Sequence, residues 1–539
     1  MPRTKFIQSS AKVEDVKYED FYRCSTKRWL YNEKKQLALY YRKFNVPALQ
    51  DTAARAVGAE RCVSIEKIAE GSFNKIFLLR FDNSKEAIAR ISCPIAEPSH
   101  LVVLSEVATL EFCRTRLNLP VPQVYAWNSR ASDSDVGAAY IIMEQVPGVS
   151  LSERWLDLDA PKNRGLTFQM IDVEKKFSEI QFSQIGSLYF KEDVERELQE
   201  RPLYAAGVPG DEASERFRIG PTLQREFWRR ERVDMTMDRG PWPDFQSYGI
   251  ALAKCEQQWL QTFARTRAPG DPFRRSDEDE SPQTHIAMLD RFLSIVPFVK
   301  PPADILPLTL WHPDLHDGNV MVERDGLPEI TGIIDWQNMW IGPRFMRAPF
   351  SPVFAYGGTM IDIGITKPEL PPGYDELSAE DQAEARTQLQ LVGRHKIYEF
   401  LVRKHHPQHS AVLSYPHLRT LVTLFQSAPR TWTDGIAPLR QALLEVAHEW
   451  EALAGPGVPC PLTFGQDELE AHAEEFRRMQ VHEARLRITL DVMKLDPDGV
   501  VDPERYKSVK EALAKIRPFW DDKEIGPWPF QDGGWSSFF

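Results

Sequence analysis

Four residues near the middle of the chain have the types and spacing that phosphate chemistry asks for. They form His312-x-Asp314-x-x-x-x-Asn319, followed after an interval by Asp335. The stretch 308–337 reads LTLWHPDLHDGNVMVERDGLPEITGIIDWQ. Between Asn319 and Asp335 lie a short apolar run, a turn at Arg324-Asp325-Gly326 and a second apolar run. Strand, tight turn and strand would bring Asn319 and Asp335 together. Phosphoryl transfer uses such a set. One carboxylate orients the attacking hydroxyl and accepts its proton, and a second carboxylate and an amide oxygen hold Mg²⁺ against a triphosphate. Hard oxygen ligands suit Mg²⁺, and few are needed because the phosphates supply the others. On this reading Asp314 is the base, and Asn319 and Asp335 are the metal ligands. His312 is grouped with Asp314 as catalytic, its expected part being to fix the loop by hydrogen bonding. Taken alone, His312, Asp314 and His316 also suit the transition-metal cluster of a hydrolase.

Such residues need a scaffold. From Cys62 to Val146 short β-rich runs alternate with turn signals. Residues 62–69, 75–81 and 86–92 read as three strands, with Asp82-Asn83-Ser84 turning between the second and third. Ser99 is expected to cap a helix running to about Arg116. Residues 123–128 and 138–146 read as two further strands. Helical patterns dominate from Leu151 onward, interrupted by the β patch at 307–336. Residues 264–285 read as a solvated linker. Residues 368–381 read as a loop whose end starts a helix. Residues 28–44 read as helical, and the aromatic tail from about Arg517 is expected to pack on the body, since exposed aromatic clusters reduce solubility.

The ordered set HPDLHDGN and IIDW resembles the catalytic and metal-binding motifs of the aminoglycoside phosphotransferase family, which has a protein kinase-like fold. EGSFNKIFLL (70–79) sits where that family's nucleotide-covering loop belongs. AIARIS (87–92) matches its third strand, Glu106 its following helix, and IIMEQVPG (141–148) the hinge between lobes. With these positions filled, the resemblance favours the kinase set over the hydrolase cluster. It implies ATP and Mg²⁺ as cofactors, and a nucleotide site made by Gly71, Ser72, Phe73, Arg90, Glu106, Glu144 and Val146. Arg90 stands where kinases usually carry Lys, and the covering loop has one glycine. KIAEGSFNKIFLL, LWHPDLHDGNVMV and the opening RWLYNE further resemble a fungal branch that includes the altered inheritance of mitochondria protein 9 group. The expected fold class is α+β and two-lobed. Residues 1–58 form an N-terminal extension, 59–145 a small lobe of five strands and one helix, 146–495 a large helical lobe, and 496–539 an aromatic tail. The expected function is ATP- and Mg²⁺-dependent phosphorylation of a hydroxyl on a small-molecule acceptor. The alternative is a nucleotide-binding pseudokinase acting as a mitochondrial scaffold. A protein kinase or an AMP-transferring enzyme on the same fold is a third possibility.

Composition narrows the partners. The 539 residues carry a formal net charge of −12, which argues against nucleic acid. No uninterrupted apolar run approaches the length of a membrane span. Six cysteines without a C-x-x-C spacing read as reduced thiols rather than a zinc or redox site. Arg3, Lys5 and Lys12 precede the first acid, Glu14, so the opening stretch reads either as a mitochondrial presequence or as a frayed basic terminus, and the compartment as mitochondrial or cytoplasmic. Arg229, Arg230, Arg232 and Arg239, between hinge and catalytic loop, could bind an anionic acceptor; the favoured reading is a solvated helix. One hydroxyl besides Tyr356 in 343–358, Ser351, gives no sign of regulation by loop phosphorylation.

Overall fold

The computed structural model describes residues 17–269, 271, 273–347, 350–357, 367–522 and 524–533. Alternating apolar residues build the small lobe. Strands β1 (Cys62–Glu70), β2 (Asn74–Phe81), β3 (Glu86–Ser92), β4 (Val124–Asn128) and β5 (Tyr140–Glu144) form one antiparallel sheet in the order β1-β2-β3-β5-β4. With a period of two, Phe77, Leu79 and Phe81 of β2 share a face with Ala87, Ala89 and Ile91 of β3. Tyr22, Phe44, Leu49 and Ala53 of the N-terminal segment cover that face. Full burial of a side chain such as Phe77 or Leu49 stabilises by about 1.5–3 kcal/mol. The opposite face meets helix α1 (Ser99–Thr115) through Val103, Val107, Ile141 and Met143. Ser99 is the first helical residue rather than the cap. Glu97 takes its N–H at 3.0 Å, and a carboxylate there also suits the positive end of the helix.

The large lobe gathers helices α2 (Ala160–Glu179), α3 (Phe245–Phe263), α4 (Pro282–Ile295), α5 (Ala379–His405), α6 (Leu418–Ser427) and α7 (Ala437–His448). Their apolar faces share one core with the catalytic β patch. Ser378 caps α5, its Oγ accepting the Asp381 N–H at 3.1 Å. In the patch, β7 (Leu308–Trp311) pairs with β10 (Trp340–Pro343). The hinge strand β6 (Val149–Ser150) joins β8 (Val320–Val322), which pairs with β9 (Ile330–Ile333). The result is a two-lobed α+β fold with the patch at the foot of the cleft.

Two expectations change here. Residues 264–285 are not a solvated linker. Phe273, Asp279 and Glu280 are buried, the Asp279 carboxylate accepts the Ile436 N–H at 2.8 Å, and Glu280 accepts the Arg267 N–H at 2.7 Å. The acids in that run have fixed donors waiting inside, which a charge pattern does not reveal. The long helix expected over 28–44 is reduced to Glu33–Tyr40, because Arg28–Trp29 is a strand paired with Val500–Val501. The aromatic tail does pack: Trp520 and Trp528 are buried with Leu30, Tyr31 and Leu513. The reading of the basic opening stretch falls outside the described residues. Among the described residues no helix is long and apolar enough to cross a membrane.

Candidate active site

The catalytic loop is held from below by a histidine. His312 is fully buried, and burial lowers its pKa to about 4, so the ring is neutral. Its Nε2–H donates to the Ile334 carbonyl at 3.2 Å, while Nδ1 accepts the Asp314 N–H at 3.2 Å. The ring lies edge-on to buried Trp336, whose Nε1–H donates to the Ile333 carbonyl. With both nitrogens engaged, His312 positions the loop that carries Asp314. Leu315 anchors in the core, and the Asp314 carboxylate projects into the cleft, exposed.

A second tie fixes Asn319. Its Nδ2–H donates to the Asp314 carbonyl at 2.8 Å, which leaves Oδ1 available as a metal ligand. The Ile334 N–H donates to the Asn319 carbonyl at 3.0 Å. Asp314, Asn319 and the residue before Asp335 therefore share one rigid frame. Asp335 adopts a left-handed backbone, φ 62°, a conformation that costs energy outside glycine and gathers at functional sites. Burial raises the Asp335 pKa, Arg90 opposes the rise and Asp314 adds to it. His316 lies 3.8 Å from Asp314 and 3.7 Å from Asp317, and its contact with Asp317 raises its pKa. One carboxylate and one amide oxygen are a donor set that fits Mg²⁺ completed by phosphates. Among the described residues, no three His, Cys, Asp or Glu side chains come together as a metal cluster.

Arg90 and Glu106 meet beneath the small-lobe sheet. Arg90 leaves β3 on the α1 side, and its two terminal nitrogens pair with both oxygens of Glu106. Both residues are buried, so Arg90 is no surface ion pair. Its Nη1 also lies 3.8 Å from Asp335 Oδ1. Burial lowers the Arg90 pKa to about 10, and Asp335 works against that. The planar fork thus grips the helix carboxylate and faces the Asp335 carboxylate together, which a lysine's single ammonium could not do in the same geometry.

The covering loop is a tight hairpin. The Gly71 N–H donates to the Asn74 carbonyl at 2.9 Å, with Ser72 exposed at the tip. Phe73 lies under the Arg225 guanidinium at 4.7 Å. Asn74 does not face phosphate. Its side chain is buried and donates to Gln337 Oε1 at 2.6 Å, tying the loop to the segment after Asp335. Sequence reasoning passed over Gln337, whose only signal was its position two residues beyond Asp335. At the hinge, the Glu144 N–H is taken by the Gln123 carbonyl at 2.8 Å. Among the described residues the Val146 N–H has no such backbone partner. Two glycines permit the hinge to lie on the patch. A Cβ at Gly332 would stand 2.5 Å from Val146, and one at Gly148, φ 104°, would stand 2.2 Å from the Val322 carbonyl oxygen.

Residues 64–347 match the phosphotransferase enzyme family. The chain belongs to that family. A subtelomeric hrmA-associated cluster protein of Aspergillus fumigatus is 31% identical over 487 residues, covering 85% of this chain and 92% of the relative. The altered inheritance of mitochondria protein 9, mitochondrial, of Yarrowia lipolytica is 24% identical, covering 88% of this chain and 84% of the relative. Among solved structures, the streptomycin–ATP–APH(2″)-IIa ternary complex is similar at 11% identity, covering 55% of this chain and 73% of that one, with a TM-score of 0.32.

In this phosphotransferase family member the arginines between hinge and catalytic loop do not line a solvated helix. Arg229 and Arg232 are buried. Arg232 pairs with Glu256 and stacks on Trp259, and Arg239 stacks on Trp228 at 3.9 Å. Residues 225–227 and 230–234 form short 3₁₀ turns, and the aromatic residues that receive the guanidinium faces are scattered in sequence, so no helical period could reveal them.

Proposed function

We propose that this chain transfers the γ-phosphate of ATP to a hydroxyl of a small molecule, with Mg²⁺. The observation that carries the proposal is the shared frame of the site, in which Asn319 bonds to the Asp314 carbonyl and Ile334 bonds to Asn319. Asp314 orients the acceptor hydroxyl and takes its proton as oxygen bonds to the γ-phosphorus. The bond from that phosphorus to the β–γ bridging oxygen breaks, and ADP leaves. Asn319 Oδ1 and Asp335 would hold Mg²⁺, whose chemistry is to neutralise phosphate charge. Arg90, steadied by Glu106, binds phosphate oxygens. Gly71, Ser72 and Phe73 cover the triphosphate, and the Glu144–Val146 hinge receives the adenine. Rate enhancement comes from positioning and charge stabilisation. The mitochondrial names of several relatives support a mitochondrial location.

The test is the melting temperature with ATP, with and without Mg²⁺, for wild type and Asp335→Asn. Occupancy at one hundred times Kd stabilises by about 2.7 kcal/mol. A Mg²⁺-dependent shift lost in Asp335→Asn is the expected result, followed by transfer of label from γ- but not α-labelled ATP. No shift in a well-folded wild type would sink the proposal and leave a scaffold that has kept the fold but not the nucleotide.

A further inference from the structure

A cavity of about 610 Å³ opens beside the proposed phosphate site. That volume suits a small-molecule ligand. Phe73 of the covering loop and Gln337, two residues beyond Asp335, both line the cavity. Lys35 reaches it from the N-terminal segment, and Arg225, Arg229 and Arg230 from the segment before α3. Arg267, whose guanidinium pairs with Glu280 at 3.1 Å, also lines the wall, with the carboxylates of Glu97 and Glu231. Both carboxylates already accept protein hydrogen bonds, Glu97 from the Ser99 N–H at 3.0 Å and Glu231 from Trp259 Nε1 at 2.9 Å.

The three arginines stand together on one side of the cavity. Arg229 is buried, and its Nε has no hydrogen-bond partner among the described residues. Arg230 is in the left-handed region, φ 55°, which is unfavourable for a bulky side chain. Burial lowers the pKa of all three, that of Arg230 to about 10, and the neighbouring guanidiniums lower it further. Like charges gathered in a half-buried wall repel one another, whereas guanidiniums bind oxyanions through paired charge-assisted hydrogen bonds.

We infer that Arg225, Arg229 and Arg230 receive an oxyanionic group of the acceptor, a phosphate ester or a carboxylate, so that the substrate is an anionic, hydroxyl-bearing small molecule. The word acceptor rests on the phosphotransferase reading above; the anion site rests on the cavity itself. Arg225 has a second part in it. Its stacking on Phe73 lets anion binding and closure of the covering loop support each other.

The experiment is calorimetric titration of the full chain, first saturated with Mg²⁺ and a non-hydrolysable ATP analogue so that the triphosphate site is filled. Inorganic phosphate and succinate are titrated separately into wild type, the Arg225→Gln/Arg230→Gln double variant and the Arg225→Lys/Arg230→Lys double variant. At least one anion should bind wild type, bind the Gln variant tenfold or more weakly, and recover in part with Lys. Phosphate binding alone identifies a phosphate ester, and succinate binding alone a carboxylate. Equal affinity in wild type and the Gln variant overturns the inference, as does no anion binding in a wild type that takes the analogue. A wild type that rejects the analogue but binds anion through Arg225 and Arg230 removes the kinase reading and upholds the anion site.

Discussion

Two buried arginine–glutamate pairs serve opposite ends. Arg90–Glu106 lies under the cleft and Arg232–Glu256 inside the helical lobe, and none of the four residues is more than 5% exposed. Glu256 is closed on every side: one oxygen pairs with Arg232, and the other accepts the Thr431 hydroxyl at 3.1 Å and the Trp432 N–H at 3.0 Å. Arg90 is satisfied by Glu106 yet keeps an edge toward Asp335, whose side chain is one-third exposed. A buried pair whose partners are all protein atoms fixes structure. One that ends at an open carboxylate is ready for a ligand.

Breaking each pair should separate the two roles. Glu256→Gln leaves Arg232 charged, buried and without a counter-ion, and should cost about 3–5 kcal/mol in denaturant unfolding. Analogue affinity in the remaining folded protein should be unchanged. Glu106→Gln should weaken Mg–ATP binding by ten- to a hundredfold, roughly 1.4–2.8 kcal/mol, with a smaller loss of stability than Glu256→Gln because Asp335 remains near Arg90. If the two variants lose stability equally, the distinction between them fails.

The third prediction concerns the histidine that fixes the catalytic frame. A folded pKa of about 4 against an unfolded value near 6.5 means that the unfolded chain binds more protons between those limits. This contribution to stability is complete above pH 6.5 and declines as pH falls toward 4. At pH 5 the loss is about 2 kcal/mol. Unfolding of His312→Asn against pH should be flatter than wild type by that amount, and parallel curves would contradict the buried neutral ring. The smallest effect is expected from Arg90→Lys, about tenfold in Mg–ATP affinity, since the ammonium keeps charge but loses the fork. An unchanged affinity would mean that the contact with Asp335 is idle.

Much of this was legible in the sequence where local chemistry decides. Alternating apolar residues and turn residues marked the five small-lobe strands, and Ser378 marked the start of α5. The spacing from His312 to Asp335 marked a set that strand pairing could assemble. What escaped depended on partners distant in sequence. The acids of 264–285 looked solvated because Ile436, which donates to Asp279, lies far along the chain. The arginines of 225–239 looked like a polar face because Trp259 and Glu256 are contributed by another helix. Gln337 was passed over because its partner Asn74 is 263 residues away.

The strand pair between Arg28–Trp29 and Val500–Val501 has a temporal consequence. Asn32 donates its N–H to Asp532 Oδ1 across 500 positions of sequence. A ribosome adding about 5–20 residues per second takes roughly 25–100 s to make that interval. Throughout that time the segment that covers the small-lobe sheet can dock through Phe44 and Leu49 but cannot seat Leu30 and Tyr31, whose neighbours do not yet exist. Closing so long a loop adds little entropy beyond that of a shorter one, because the cost grows only with the logarithm of length. Synthesis order, rather than distance, therefore sets when this packing can form: residues translated late complete the packing of residues translated early.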